Sequence, residues 1–127
     1  MSTITTILTP NAPAAFGPFV QGVKTDTLVF STGQLPLDPA TGELVSDDVQ
    51  AQTRQVLFNL KAILEAAGCS LDRVLKATVF ITNMDDFDKI NEVYAGFFSD
   101  TPPARSCVEV SGLAKGAKVE IEVIALL

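Results

Sequence analysis

The sequence of 127 residues contains no histidine and no tryptophan, and its only two cysteines are Cys69 and Cys107. Without histidine the chain lacks the commonest general base at neutral pH, and it cannot build a Ser-His-Asp or Cys-His nucleophilic system. The cysteines do not form a CxxC pair, so zinc or haem would lack its usual ligands. We therefore expect no metal and no cofactor. Any catalysis has to use carboxylate, Arg, Cys, Tyr, backbone groups and water.

Basic residues are also few, since nine Lys and Arg stand against fifteen Asp and Glu, for a net charge of −6. On average such a surface repels phosphate backbones, so nucleic acid is a disfavoured partner. No basic segment followed by an apolar one opens the chain, and no apolar run approaches the roughly 18 to 20 residues that cross a bilayer. We expect a cytoplasmic protein without membrane contact, whose thiols are reduced.

The composition itself is that of an ordinary globular protein, with 47% hydrophobic and 19% charged residues. No internal shift in composition indicates a linker, so residues 1–127 are expected to form a single domain. Alternating apolar residues and turn residues predict six strands. They cover residues 2–9, 20–24, 27–32, 74–82, 105–111 and 118–126. In the fourth of these strands one face is predicted to consist of Leu75, Ala77, Val79 and Ile81.

Two helices separate the later strands. Asp47 or Asp48 is a suitable N-cap for the first helix, and Gly68 is suited to end it. The second helix is expected to begin at Asn83 or Asp85. Its aromatic stripe is more typical of a helix core than of a ligand site, and consists of Phe87, Tyr94, Phe97 and Phe98. The order of elements predicts an α+β fold, with one mixed sheet and both helices on a single face.

The sheet face opposite the helices is expected to carry an unusual set of side chains. In the last strand the apolar residues alternate with Glu120, which is therefore placed on the helix-free face. In the strand before it, Val108 and Val110 are assigned to the helices, which leaves Arg105 and Cys107 opposite. Phe80 and Ile124 are expected on the same helix-free face, and a mixed face of this kind suggests contact with another subunit.

The pattern alone leaves the meaning of these residues open. Arg and Glu on an outward face are more often solvated cross-strand partners than parts of a site. A lone cysteine is more often a small packed residue than a nucleophile.

Three stretches of the sequence resemble segments of a known protein family. They are Ala-Ala-Phe-Gly-Pro-Phe-Val-Gln-Gly at residues 14–22, Ser-Thr-Gly-Gln-Leu-Pro at 31–36, and Pro-Ala-Arg-Ser-Cys-Val-Glu-Val at 103–110. With further matches at residues 91–94 and 119–122, the chain resembles the RidA/YjgF/UK114 family over nearly its whole length. The resemblance implies a chorismate-mutase-like α+β fold, a homotrimer with a barrel-like core, and clefts between adjacent subunits.

The resemblance also implies roles for particular residues. The family arginine that matches Arg105 grips the substrate carboxylate, and the glutamate that matches Glu120 helps to hold the attacking water. A guanidinium suits the first role because its planar fork fits a carboxylate. The cysteine that matches Cys107 lines the cleft, and the loop that matches Thr32 and Gly33 lines the pocket from the same region.

Two positions depart from the family pattern. Many active members carry tyrosine in the Gly-Pro-Tyr segment where this chain has Phe19, so a hydroxyl that could contact substrate or water is missing. The loop at residues 111–115 lacks a second arginine that relatives often have. This change is expected to alter the surface more than the cleft.

The function implied is that of an enamine/imine deaminase. It would hydrolyse 2-imino acids such as 2-iminobutanoate and 2-iminopropanoate to 2-keto acids and ammonia, removing reactive products of pyridoxal-phosphate dehydratases. One alternative is a non-catalytic trimer that binds 2-keto acids or similar small carboxylates in the same clefts. Ribonuclease activity or translation inhibition, attached to some family members, has little support in an acidic chain without histidine.

Overall fold

The computed structural model describes residues 3–98 and 100–127 of the chain. Its strands are β1 (Thr5–Ile7), β2 (Gly22–Lys24), β3 (Leu28–Ser31), β4 (Val74–Ile81), β5 (Ala104–Glu109) and β6 (Val119–Leu126). Its two α-helices are α1 (Val49–Ala66) and α2 (Phe87–Phe97). The predicted order of strands and helices is confirmed, with strands one to several residues shorter than predicted. Ser2, where the first predicted strand begins, lies outside the described residues.

The six strands form one mixed sheet in the order β1-β2-β3-β6-β4-β5. Neighbouring strands pair antiparallel except for β4 and β5, which run parallel. A parallel pair needs a crossover connection, and α2 supplies it between β4 and β5. The strand β5 therefore lies at one edge of the sheet, with α2 as its preceding element.

A side-chain cap and a glycine mark the two ends of α1, and a capped turn precedes α2. The Asp48 carboxylate accepts a hydrogen bond of 2.8 Å from the Ala51 N–H at the start of α1, as expected of an N-cap. After α1 the chain turns at Gly68, whose φ of +82° falls in the left-handed region that favours glycine. The Asn83 side chain caps a short 3₁₀ turn that leads into α2.

The core lies between the helices and one face of the sheet. Every second residue of β6 is buried on this face, and the alternate residues of β4 lie beside them. The fully buried contributors from strands and helices include Ala77, Val79, Ile81, Val119, Ile121, Val56, Leu57, Leu60, Ile63 and Leu64. The predicted α+β architecture with both helices on one face is confirmed. Among the described residues, neither helix combines the length and the apolar character needed to span a membrane.

The start of β4 departs from the predicted alternation. Val74 pairs with Ala125 and Lys76 with Ile124, so Leu75 is an extra residue without a partner on β6. Such a β-bulge reverses the side-chain alternation on one side of it. Val74 is therefore buried in the core, whereas Leu75 is 48% exposed. The prediction that Leu75 shares a face with Ala77 was wrong for this reason.

The orientation of β5 also differs from the prediction. Arg105 pairs with Ala77 and Cys107 with Val79, both of which face the helices. Val108 pairs with Phe80 on the helix-free face and is 42% exposed. The prediction placed Arg105 and Cys107 opposite the helices because Val108 was taken as a core residue. At the sheet edge the register of the parallel pair decides the orientation, and it overrides hydrophobicity.

Candidate active site

A cavity of about 230 Å³ lies where the chain segments before β2 and after β3 meet β6. Its wall brings together four residues that the sequence predicted for a site: Phe19, Thr32, Gly33 and Glu120. The remaining lining includes Pro13, Ala14, Ala15, Phe16, Gln21, Gln34, Leu35, Leu37 and Ala114. Among the described residues that line this wall, Glu120 is the only one with an ionisable side chain, and it lies in mostly apolar and neutral surroundings.

Glu120 projects from the helix-free face of β6, directly over the backbone of Gly33. Two backbone hydrogen bonds fix this approach, since Gln34 N–H donates to the Ile121 carbonyl (2.8 Å) and Ile121 N–H donates to the Gln34 carbonyl (3.2 Å). A Cβ at Gly33 would lie 2.9 Å from Glu120 Cδ and closer still to Oε2. The glycine therefore provides the space that the Glu120 carboxylate occupies.

Replacing this glycine should move the carboxylate without unfolding the chain. In Gly33→Ala the added Cβ meets the far end of a flexible side chain, so Glu120 rotates away while the backbone stays in place. A misplacement of this kind should lower turnover of an imino-acid substrate by about 10- to 100-fold, with the melting temperature nearly unchanged. Gly96→Ala is the matched control, because a Cβ at that position meets open space. Unchanged turnover in Gly33→Ala would show that the position of Glu120 is unimportant.

The surroundings of Glu120 favour its protonated form. Burial raises the pKa of its carboxyl group above the ordinary value, and the nearby charge of Glu122 raises it further. Glu122 lies two residues along β6 on the same face, and it is exposed. A carboxyl group with a raised pKa is a stronger base once ionised, and it returns a proton less readily to bulk water. These properties suit a group that accepts a proton and then donates it.

Gln21 holds one wall of the cavity in place. Its buried side-chain carbonyl accepts a hydrogen bond from Thr9 N–H (2.7 Å), and its Nε2 donates to the carbonyls of Thr9 (2.9 Å), Ala12 (3.1 Å) and Pro13 (2.9 Å). This single amide thus ties together the segment that leads to Phe16 and Phe19. Sequence reasoning missed Gln21, and the only available signal was its place in the stretch that resembles the family.

Two aromatic rings line the cavity, and a lysine lies over one of them. Phe16 and Phe19 stack edge to face with their centroids 5.4 Å apart, and Lys115 Nζ lies 4.9 Å from the Phe16 ring centroid. Lys115 adopts a φ of +60°, a left-handed conformation that is uncommon for a residue with a side chain. The loop at residues 111–115 was expected to alter the surface more than the cleft, but Ala114 lines this cavity and Lys115 lies over the Phe16 ring.

Arg105 lies elsewhere, at the edge of the sheet beneath α2. Its guanidinium carbon is 4.8 Å from the Tyr94 ring centroid and 5.5 Å from that of Phe87. Within residues 3–98 and 100–127, its guanidinium has no hydrogen-bond or ion-pair partner. A half-buried guanidinium held only by aromatic faces keeps its planar fork of donors available for a ligand carboxylate.

Cys107 accompanies Arg105 on β5 and is half-buried. Burial raises the pKa of its thiol, an effect that the nearby Arg105 charge only partly offsets. The thiol is therefore protonated at neutral pH, and a thiol is a much weaker nucleophile than a thiolate. This environment suits a lining residue better than a covalent catalyst.

Arg105 and Glu120 lie on opposite faces of the same sheet. Arg105 pairs with Ala77 on the helix-covered face, whereas Glu120 pairs with Phe80 on the helix-free face, and β4 separates the two strands. The structure thus divides the predicted site residues into two groups. The cavity group contains Phe19, Thr32, Gly33 and Glu120, and the β5 group contains Arg105 and Cys107. One chain cannot bring both groups to the same small molecule in this conformation.

The chain is similar over nearly its whole length to proteins of known sequence and structure. Residues 9–127 match the family described as Endoribonuclease L-PSP. A 2-iminobutanoate/2-iminopropanoate deaminase of Escherichia coli K12 is 52% identical over 124 residues, which cover 95% of this chain and 96% of that protein. A RutC family protein of Pyrococcus horikoshii is 55% identical over 119 residues, which cover 94% of each chain.

Solved structures agree with these matches. Escherichia coli TdcF with bound serine has a TM-score of 0.93 and 51% identity, covering 97% of this chain and 98% of that chain. The Escherichia coli YjgF gene product has a TM-score of 0.92 and 50% identity, covering 96% and 98%. The family match and these identities over almost the full length agree with the fold described above. The chain belongs to the Endoribonuclease L-PSP family, which is the RidA/YjgF family.

Proposed function

We propose that this protein is an enamine/imine deaminase that hydrolyses 2-imino acids, such as 2-iminobutanoate and 2-iminopropanoate, to 2-keto acids and ammonia. The observation that carries the proposal is the Arg105 guanidinium, which contacts aromatic rings and has no hydrogen-bond partner among the described residues, together with a carboxyl group of raised pKa at Glu120. Hydrolysis of an imino acid requires these two groups, a cation that binds the substrate carboxylate and a base that activates the water. Relatives named as deaminases of this type, 52% identical over 95% of the chain, support the same reaction.

The protein acts as a homotrimer in this proposal, and its clefts lie between adjacent subunits. The opposite placement of Arg105 and Glu120 requires that a shared substrate contact two chains. The helix-free face supports an assembly, because it exposes Phe30, Val108 and Leu126 to solvent in the single chain. Each cleft would be complete if the helix-covered side of β5 in one chain packed against the cavity of a second chain.

The proposed chemistry needs only groups of the chain and one water. The Arg105 fork binds the substrate carboxylate, and ionised Glu120 accepts a proton as the water oxygen forms a bond to C2. Glu120 then donates that proton to the nitrogen of the tetrahedral intermediate. Glu120 next takes the hydroxyl proton of this intermediate and passes it to the amino nitrogen, so that the C–N bond breaks, ammonia leaves, the C2 carbonyl of the 2-keto acid forms and Glu120 is ionised again. Because an imine carbon is already electrophilic, positioning supplies much of the required acceleration.

A second candidate is a trimer that binds 2-keto acids or related small carboxylates without turnover. Phe19 favours this alternative, because its ring lines the cavity without the hydroxyl that many family members have there. Nucleic acid is the less suitable substrate, although the family is described as an endoribonuclease. With a net charge of −6, and with Lys115 beside a cavity whose described lining carries the acidic Glu120, the chain offers a poor surface for a phosphate backbone.

Coupling the protein to a threonine dehydratase tests the proposal against this alternative. The dehydratase releases the imine, and 2-ketobutyrate is followed with semicarbazide present as a competing trap. A deaminase should accelerate 2-ketobutyrate formation and lower the yield of semicarbazone. Saturable binding of 2-ketobutyrate without any acceleration would instead establish the non-catalytic alternative.

The pH dependence of turnover should report on Glu120. Protonated Glu120 cannot accept a proton from water, so kcat/KM should fall as the pH drops through the raised pKa of this group. Glu122→Gln removes the neighbouring negative charge that raises the pKa, and therefore should shift the acidic limb of the profile to lower pH. The shift is measured from pH–rate profiles of both proteins. An acidic limb at the same pH in both would show that Glu120 does not control it.

A further inference from the structure

The ring of Tyr94 is the closest partner of the Arg105 guanidinium. The guanidinium carbon lies 4.8 Å from the Tyr94 centroid, and Phe87 contributes a second ring at 5.5 Å. Phe87 and Tyr94 are seven residues apart on α2, so both point from the helix towards the sheet. Arg105 reaches up from β5 to meet them. The direction of the fork therefore depends on α2 and not on any hydrogen bond within the described part of the chain.

Tyr94 is itself held rigidly by packing. It is 6% exposed, and its ring lies 4.6 Å from that of Phe98 with an interplanar angle of 36°. Its hydroxyl has no hydrogen-bond partner among the described residues, so hydrogen bonding does not orient the ring. Burial raises the pKa of the phenol, which is therefore neutral at physiological pH and presents a π face to Arg105 without a negative charge.

A carboxylate or amide partner would hold Arg105 differently. Such a partner would occupy N–H donors of the fork and compete with the ligand carboxylate for them. An aromatic face attracts the cation through its quadrupole and leaves the in-plane donors free. The arrangement therefore fixes the direction of the guanidinium while its hydrogen-bonding capacity is kept for a ligand.

We propose that Tyr94 is a positioning residue, whose ring holds the Arg105 guanidinium in the direction that receives the substrate carboxylate. The inference rests on the proposed function for the identity of the substrate, but the placement of Arg105 can be measured independently. Phe87 provides a second ring and contributes less, because its ring is farther from the guanidinium and half-buried.

Three substitutions separate the ring, the hydroxyl and general packing. Tyr94→Leu removes the ring, and we expect kcat/KM for 2-iminobutanoate to fall about tenfold. The loss should appear mainly as a higher KM, because Arg105 would bind the substrate carboxylate more weakly in both the ground state and the transition state. Tyr94→Phe restores the ring without the hydroxyl and should recover most of this loss. Phe97→Leu is the matched control on the same helix, since its ring pairs with Phe58 and not with Arg105. It should lower stability but leave kcat/KM within about twofold.

The position of the guanidinium is followed by NMR in the same proteins. The Arg105 Nε–H resonance, assigned by its disappearance in Arg105→Lys, should be shifted by the ring currents of α2 in the parent. The shift should persist in Tyr94→Phe and Phe97→Leu and collapse in Tyr94→Leu. This readout needs no turnover, so it still tests Tyr94 if the parent hydrolyses no imino acid. In that case the proposed function fails while the positioning role stands.

Three outcomes would overturn the role of Tyr94. One is an unshifted resonance in the parent, and a second is a kcat/KM in Tyr94→Leu equal to that of the parent. The third is equal loss in Phe97→Leu and Tyr94→Leu, which would indicate general destabilisation of α2. If Tyr94→Leu does not fold, Phe87→Leu replaces it because Phe87 is only half-buried. It should give a smaller change in the same direction for both measurements, and no change in either would contradict the proposal.

Discussion

Arg105→Ala should lower kcat/KM for 2-imino acids by about 100-fold or more, because the substrate carboxylate would lose its only fixed cationic partner. The guanidinium has no other hydrogen-bond or ion-pair partner among the described residues, so its removal should cost the fold little. Arg105→Lys keeps the charge without the planar fork and should recover only part of the loss. Steady-state kinetics on trimers verified by light scattering provide the measurement.

An exposed arginine outside the proposed clefts serves as the control for charge. Arg54 lies on α1 and is exposed, so Arg54→Ala removes one positive charge without touching either group of site residues. Its kcat/KM should match that of the parent. Parental kinetics in a trimeric Arg105→Ala protein would remove Arg105 from the site, and the substrate carboxylate would then require another partner.

Mixing two inactive variants should restore about one quarter of the parental activity, because every cleft of the proposed trimer takes Arg105 from one chain and Glu120 from its neighbour. Arg105→Ala chains retain Glu120, and Glu120→Gln chains retain Arg105. When equal amounts assemble at random, about three quarters of the trimers are mixed, and each mixed trimer has one intact cleft out of three. The variants are co-expressed in equal amounts with one shared affinity tag, so that purification selects no particular trimer, and are assayed beside each variant alone.

A chain that carries both substitutions supplies the control for this mixture. Combined with Arg105→Ala chains it yields trimers without any Arg105, so no cleft is complete and no activity should return. Failure of the first mixture to exceed its separate components, with mixed trimers present, would contradict the two-chain cleft. Glu120→Gln keeps the size of the side chain, so loss of assembly is not expected to cause such a failure.

The order of strands and helices was predictable because each element has its own periodicity and its own start and stop residues. Asp48 marks the start of α1 through a local hydrogen bond, and Gly68 follows its end with a left-handed turn. Neither feature depends on distant residues. The prediction that Phe19, Thr32 and Gly33 belong to one site with Glu120 came from the family resemblance. Periodicity carries no information about which loops meet.

The orientation of β5 could not be predicted from its own residues. Alternating Arg105, Cys107 and Glu109 look like a solvent face, and Val108 looks like a core residue. Pairing with β4 and the crossover through α2 reverse this assignment, and both are properties of the tertiary structure. Tyr94 and Phe98 of the aromatic stripe are buried in the core, as predicted, but the contact of Phe87 and Tyr94 with Arg105 depended on that reversed strand.

The placement of Arg105 and Glu120 on two faces of one sheet has a mechanical consequence. In the proposed trimer each chain serves two clefts, and only the hydrogen-bond ladders from β5 to β4 and from β4 to β6 separate its two contributions. A ligand that binds Arg105 therefore contacts β5. Through β4 alone, this strand is connected to β6, which carries the Glu120 of the next cleft. In the proposed trimer the three clefts would form a closed ring with shared walls, so we expect ligand binding in one cleft to change the affinity of the next.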